Sequence, residues 1–116
     1  MSYDLVFWKQ ASDCADPPSR IHGLLLDGVV PDGLAEIPVE KLLDRVRETF
    51  PGVIEGGGLV FWEGWDRGMF EVSWSRHHLH FCCRALGTDE MNRLIEIAHE
   101  FDCPLYDPQV DTRFAA

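Results

Sequence analysis

GMFEVSWS (68–75) and HLHFCCRA (78–85) are the two stretches that decide the fold of this chain. Both alternate apolar and polar residues, and this period of two predicts half-buried antiparallel strands. Only two residues separate the stretches, so they are expected to pair as a hairpin. One face carries Phe70, Val72, Trp74, Leu79, Phe81, Cys83 and Ala85. The other face is polar, and Glu71, His78, His80, Cys82 and Arg84 lie on it.

Length and composition predict a single domain spanning residues 1–116. Chains of about 100–200 residues usually form one domain, and 46% hydrophobic content is too high for a disordered chain. No apolar run approaches the roughly 20 residues that span a bilayer. The first residues lack the basic segment of a secretory signal. A cytoplasmic protein is therefore expected.

The charge balance restricts the classes of partner. Twenty acidic residues against ten basic ones give a net charge of −10. Affinity for nucleic acid and for anionic lipid depends on Lys and Arg side chains that neutralise phosphate. We therefore expect neither nucleic-acid nor membrane binding, and a basic protein partner would be attracted.

The order of elements predicts an α+β fold. Apolar stripes at helical spacing predict two helices, over 39–50 and 89–101. The predicted strands are 3–9, 59–63, the two hairpin strands and 104–107. Without the short strand at 59–63 the order is βαββαβ, which is typical of a ferredoxin-like antiparallel sheet. Both helices are expected on one face, with the other face partly open and the short strand as an addition.

Three side chains on the polar face of the hairpin are a candidate metal site. His78, His80 and Cys82 alternate along one strand, and nitrogen and sulfur ligands suit zinc. A fourth ligand would be needed, and surface histidines on a solvated sheet face are the simpler interpretation. No cofactor is predicted.

Cys82, on the same face, is a candidate nucleophilic cysteine. Cys82 lies beside His80 and Arg84, and a neighbouring cation can lower a thiol pKa. Alternate strand residues, however, lie some 6–7 Å apart, which is too far for a direct thiol–imidazole hydrogen bond. An ordinary free thiol is favoured, and we do not expect an enzyme.

Aromatic and acidic residues mark a candidate binding surface just before the hairpin. Trp62 and Trp65 flank Glu63 and Asp66 in a glycine-rich segment. Tryptophan beside charged residues is common at the centre of protein–protein interfaces. Core packing explains most of the other large aromatics.

The two ends of the chain carry a resemblance to known proteins. MSYDLVFW at 1–8 and CPLYDPQ at 103–109 resemble the ends of a group of small bacterial cytosolic proteins. Some of these proteins resemble immunity proteins of bacterial toxin systems. The resemblance implies a non-catalytic inhibitor that binds and blocks a cognate toxin.

Together, the charge and the resemblance predict occlusion of a toxin that has a basic active-site surface. The residues expected at the contact are Glu55, Glu63, Trp65, Asp66 and Glu71. One alternative is a small metal- or ligand-binding protein or enzyme that uses His78, His80 and Cys82. Another is a homodimer formed through the open sheet face.

Overall fold

The computed structural model describes residues 2–11 and 14–114, and of Trp65 it describes the backbone alone. Within these residues there are three α-helices and eight strands. The strands are β1 (Ser2–Gln10), β2 (Leu34–Ala35), β3 (Ile54–Gly56), β4 (Leu59–Glu63), β5 (Met69–Trp74), β6 (His78–Arg84), β7 (Leu105–Asp107) and β8 (Thr112–Phe114). The helices are α1 (Pro18–Leu26), α2 (Val39–Thr49) and α3 (Thr88–His99), and a 3₁₀ turn covers Trp65–Arg67.

β1 lies inside the sheet, as its sequence predicts. Leu5, Val6, Phe7 and Trp8 are all buried, so both faces of this strand are covered. The strand order is β3-β4-β5-β6-β1-β7-β8, and β2 pairs with the end of β1. Every pairing is antiparallel.

The predicted hairpin is confirmed as β5 and β6. Glu71 lies opposite Cys82, and Val72 lies opposite Phe81. Paired residues of an antiparallel ladder point to the same face, so the apolar residues of both strands face the same core. Cys83 is buried in that core, as its apolar-face position predicts.

α2 and α3 cover one face of the sheet, which we call the helix face. Each helix buries a narrow apolar stripe; the buried residues are Leu42, Leu43 and Val46 in α2 and Leu94, Ile97 and Ala98 in α3. The prediction of two helices on one face is therefore confirmed. The predicted ends of each helix differ from the observed ends by at most two residues. The longest helix described has 12 residues, and none is both long and apolar enough to cross a membrane.

The opposite face, which we call the outer face, is less open than predicted. α1 packs over β1 and β7, where Ile21 and Leu25 join Val6, Trp8 and Tyr106 in a second, smaller core. This helix covers the outer face because β1 presents apolar side chains on both of its sides. The prediction of a single helix layer is thus corrected, and the uncovered part of the outer face is limited to β3–β6.

The sheet is also larger than the predicted one. An α+β fold with an antiparallel sheet is confirmed. The sheet has eight strands, whereas the prediction was five: the four strands of the ferredoxin-like pattern and one added strand. The three unpredicted strands, β2, β3 and β8, have two or three residues each. Such short segments show no measurable alternation.

Gly68 begins the hairpin in a conformation that only glycine adopts readily. Its φ of 91° and ψ of −162° fall in a region that is essentially restricted to glycine. A Cβ at this position would lie 2.3 Å from the carbonyl oxygen of Ala85. We expect Gly68→Ala to lower the free energy of unfolding by about 2 kcal/mol, measured by urea denaturation.

Gly52 provides the matched control for this substitution. It also has a positive φ, 94°, but a Cβ there would meet nothing within 4 Å. Gly52→Ala should therefore show the conformational cost alone, which is about 1 kcal/mol. Equal losses in the two variants would contradict the close contact at Gly68.

Candidate functional site

A row of side chains crosses five strands on the outer face, and its part on β3–β6 is uncovered. The register places Ile54, Phe61, Glu71, Cys82 and Asp4 side by side from β3 to β1. Ile54 is 64% exposed and Phe61 is half-buried, so apolar surface is available to a partner at the β3 end of the row. α1 covers the neighbouring residues Val6 and Trp8 on β1.

Two of the predicted contact residues come together on this face. Glu63 lies opposite Met69, and Glu71 lies opposite Phe61, so the two carboxylates are diagonal neighbours on adjacent strands. Diagonal side chains in an antiparallel pair are about 7–8 Å apart. Both glutamates are exposed, and neither forms an ion pair with any residue that the structure describes. We call Ile54, Phe61, Glu63, Met69 and Glu71 the acidic patch.

Glu55 lies on the other side of the sheet. Its partner in β4 is the buried Val60, which places Glu55 on the helix face. There its carboxylate accepts hydrogen bonds from Arg47 of α2, from Nε at 2.9 Å and Nη2 at 2.6 Å. The Arg47 guanidinium holds the pKa of Glu55 below its usual range. Glu55 therefore lies apart from the acidic patch.

The tryptophans of the predicted binding surface are separated too. Trp62 is only 3% exposed, and its ring stacks on Phe70 in the core. Its indole Nε1–H donates to the carbonyl oxygen of Pro51 at 3.3 Å. The idea that Trp62 is a surface residue is therefore corrected, and the Trp65 side chain lies outside the described residues. Asp66 is exposed in the turn between β4 and β5.

The candidate metal ligands share a face, as predicted, but the two histidines make other contacts. His80 Nε2 lies 3.0 Å from Asp4 Oδ1, and His78 Nδ1 lies 2.7 Å from Ser75 Oγ. His22 of α1 packs against His80, with the two ring centroids 6.2 Å apart. Over residues 2–11 and 14–114, no group of three His, Cys, Asp or Glu side chains is arranged to hold a metal ion.

Cys82 is a free thiol, as the sequence analysis favours, and its pKa is not lowered. Burial raises the pKa of the Cys82 thiol, and the nearby Asp4 carboxylate raises it further. Arg84 opposes these effects but does not outweigh them. The thiol is therefore protonated at neutral pH, which is unfavourable for nucleophilic chemistry.

His78 makes the stability of the fold depend on pH. Burial, followed by the neighbouring His80, His77 and His22, lowers the pKa of His78 to about 4. An unfolded histidine has a pKa near 6.5, so the unfolded chain binds more protons between these two values. Stability is then complete above about pH 6.5 and is lost as the pH falls towards 4. Because the ring is only half-buried, we expect a loss of about 1 kcal/mol from pH 7 to pH 5.

Urea denaturation at pH 7 and pH 5 measures this loss. His78→Gln should remove most of the difference, and His99→Gln, which changes an exposed histidine at the end of α3, should leave it intact. An unchanged difference in His78→Gln would assign the effect to other groups.

Comparison of the chain with protein-family models found no match, and no curated protein matched it either. The pairing of β4 with β5 places Glu63 and Glu71, two of the predicted contact residues, near each other on the same face.

Proposed function

We propose that this chain is an immunity protein that neutralises a cognate bacterial toxin by binding it and occluding its active site. The observation that carries the proposal is the acidic patch, where two exposed carboxylates lie next to half-buried apolar side chains on an uncovered sheet face. An interface of this kind combines apolar contact area with charges that select the partner.

Charge supports a basic partner surface. The chain carries a net charge of −10, and such a field accelerates the capture of a positively charged protein. Toxins that act on nucleic acids or nucleotides need basic active sites to bind phosphate. Glu63 and Glu71 would then occupy positions that the substrate's phosphates normally occupy, with Asp66 at the edge of the contact.

The same charges disfavour self-association through this face. In a symmetric dimer each patch would contact its own copy, which brings the carboxylates of Glu63 and Glu71 together. Like charges directly opposite one another are destabilising. A basic partner is therefore a better occupant of the acidic patch than a second copy of the chain.

The proposal includes a cytoplasmic location, where an immunity protein meets its toxin inside the producing cell. We also propose that the fold is a ferredoxin-like unit to which further strands are added. In support of this, β5, β6, β1 and β7 are neighbours in that order, and α2 and α3 share one face.

Co-expression tests the proposal. The product of the adjacent upstream gene is expressed in a bacterial host with and without this chain, and growth is recorded. We expect the product to arrest growth alone and the chain to restore it. Growth arrest that persists with the chain at equal expression would overturn the proposal.

A further inference from the structure

A cleft on the helix face is separate from the acidic patch. It has a volume of about 520 Å³ and lies between α3 and the strands β1, β7 and β8. Met91, Ile95 and Phe114 provide apolar walls, and Leu105 lies at its base. Its volume falls in the range of small-molecule sites, about 300–1,000 Å³.

A buried carboxylate lines this apolar cleft. Asp107 is 6% exposed and is the one charged residue classed as buried among those that the structure describes. A buried charge is costly unless hydrogen bonds or an opposite charge compensate it. Sites that bind small molecules commonly combine an apolar lining with a few polar groups of this kind.

The hydrogen-bond partners of Asp107 among the described residues are all neutral. Its Oδ2 accepts a hydrogen bond from the Tyr3 hydroxyl. Its Oδ1 accepts from the Gln109 backbone N–H at 3.0 Å and from Gln109 Nε2 at 2.5 Å. None of the ion pairs found over the described residues includes Asp107. Among the residues that the structure describes, no cation therefore pairs with this negative charge.

We propose that this cleft binds small molecules that combine an apolar body with a primary amine. The body lies against Met91, Ile95 and Phe114, and the ammonium group donates to Asp107, which Tyr3 and Gln109 hold in position. An ammonium–carboxylate hydrogen bond is about twice as strong as a neutral one. The net negative charge of the chain disfavours an anion of the same shape.

Three probes with the same phenyl ring separate the contributions of body and head group. The ¹⁵N-labelled full chain is titrated at pH 7 with 2-phenylethylamine, 2-phenylethanol and 3-phenylpropionate, and backbone chemical shifts are followed. We expect 2-phenylethylamine to bind with a dissociation constant on the order of 1 mM, about tenfold tighter than the alcohol, with no saturable binding of the carboxylate. The shifts should concentrate in α3 and β7 and leave β4 and β5 unchanged.

Two variants test the two halves of the site. Ile95→Trp fills the cleft and should abolish binding of the amine and the alcohol, whereas Arg93→Trp, at an exposed position of α3, should retain it. Asp107→Asn should bind the amine and the alcohol equally. If Asp107→Asn does not fold, the proposal is tested by Ile95→Trp and by the relative affinities of the three probes for the unchanged chain.

Several results would overturn the proposal. These are equal affinity of the amine and the alcohol in the unchanged chain, retention of binding in Ile95→Trp, and shifts located outside the cleft. A lysine side chain of a protein carries the same ammonium group, so N-acetyl-lysine methylamide is titrated in parallel. Tighter binding of this compound than of 2-phenylethylamine would assign the cleft to a protein partner and overturn the small-molecule proposal.

Discussion

Phe70→Ala is expected to lower the free energy of unfolding by about 3–5 kcal/mol. The Phe70 ring is fully buried at the centre of the main core. Its centroid lies 5.1 Å from that of Phe50, 5.6 Å from Trp62 and 5.7 Å from Phe81. The substitution removes these aromatic contacts and leaves a cavity that three large rings cannot close without changing their positions.

A loss of this size is a large share of the total stability of a small domain, which is about 5–15 kcal/mol. The variant should therefore show a much lower urea midpoint with an unchanged slope. Phe61→Ala is the control, because Phe61 is half-buried on the outer face of the adjacent strand. It should cost no more than about 1 kcal/mol. Similar losses in both variants would contradict the assignment of the two faces.

Glu71→Lys is expected to weaken binding of the proposed toxin partner at least about 100-fold, or about 2.7 kcal/mol. It replaces an attractive charge in the acidic patch with a repulsive one, and like charges across an interface cost several kcal/mol. The fold should tolerate the change because Glu71 is exposed. Calorimetry with the purified upstream gene product measures the affinity.

The control for this reversal is Glu96→Lys. Glu96 is exposed on α3, on the far side of the sheet, and both substitutions change the net charge from −10 to −8, since each replaces −1 with +1. The affinity of the control variant should be within about threefold of that of the unchanged chain. High salt should reduce this small difference in affinity. Equal weakening by the two variants would show that net charge alone, and not the acidic patch, controls binding.

The hairpin and the two long helices were predictable because each carries its own periodic signal. Alternation over six or seven residues identifies β5 and β6, and apolar stripes identify α2 and α3. β2, β3 and β8 carry no such signal, because two or three residues do not complete a pattern. Their strand conformation depends on neighbours that are distant in the chain, such as the pairing of β8 with β7.

The candidate site was less predictable because it depends on register. The sequence predicts that Glu55 and Glu71 are both on the surface, which is correct. A shift of one residue in the pairing of β3 decides which face Glu55 occupies, and only the observed pairing with Val60 places it opposite Arg47.

The cleft was missed because its parts are far apart in the chain. Tyr3 and Asp107 are separated by 104 residues, and each looks like an ordinary strand residue by itself. The one available signal was an acidic residue in a strand that is otherwise apolar, Leu105-Tyr106-Asp107. An acid at such a position needs hydrogen-bond donors when the strand is buried.

Co-purification tests the central claim most directly. The tagged product of the adjacent upstream gene is expressed with the untagged chain, isolated by its tag and analysed by size-exclusion chromatography with light scattering. We predict an equimolar complex that forms with the unchanged chain and with Glu96→Lys but is lost with Glu71→Lys. Absence of a complex with the unchanged chain, or a complex that Glu71→Lys leaves intact, would contradict the account.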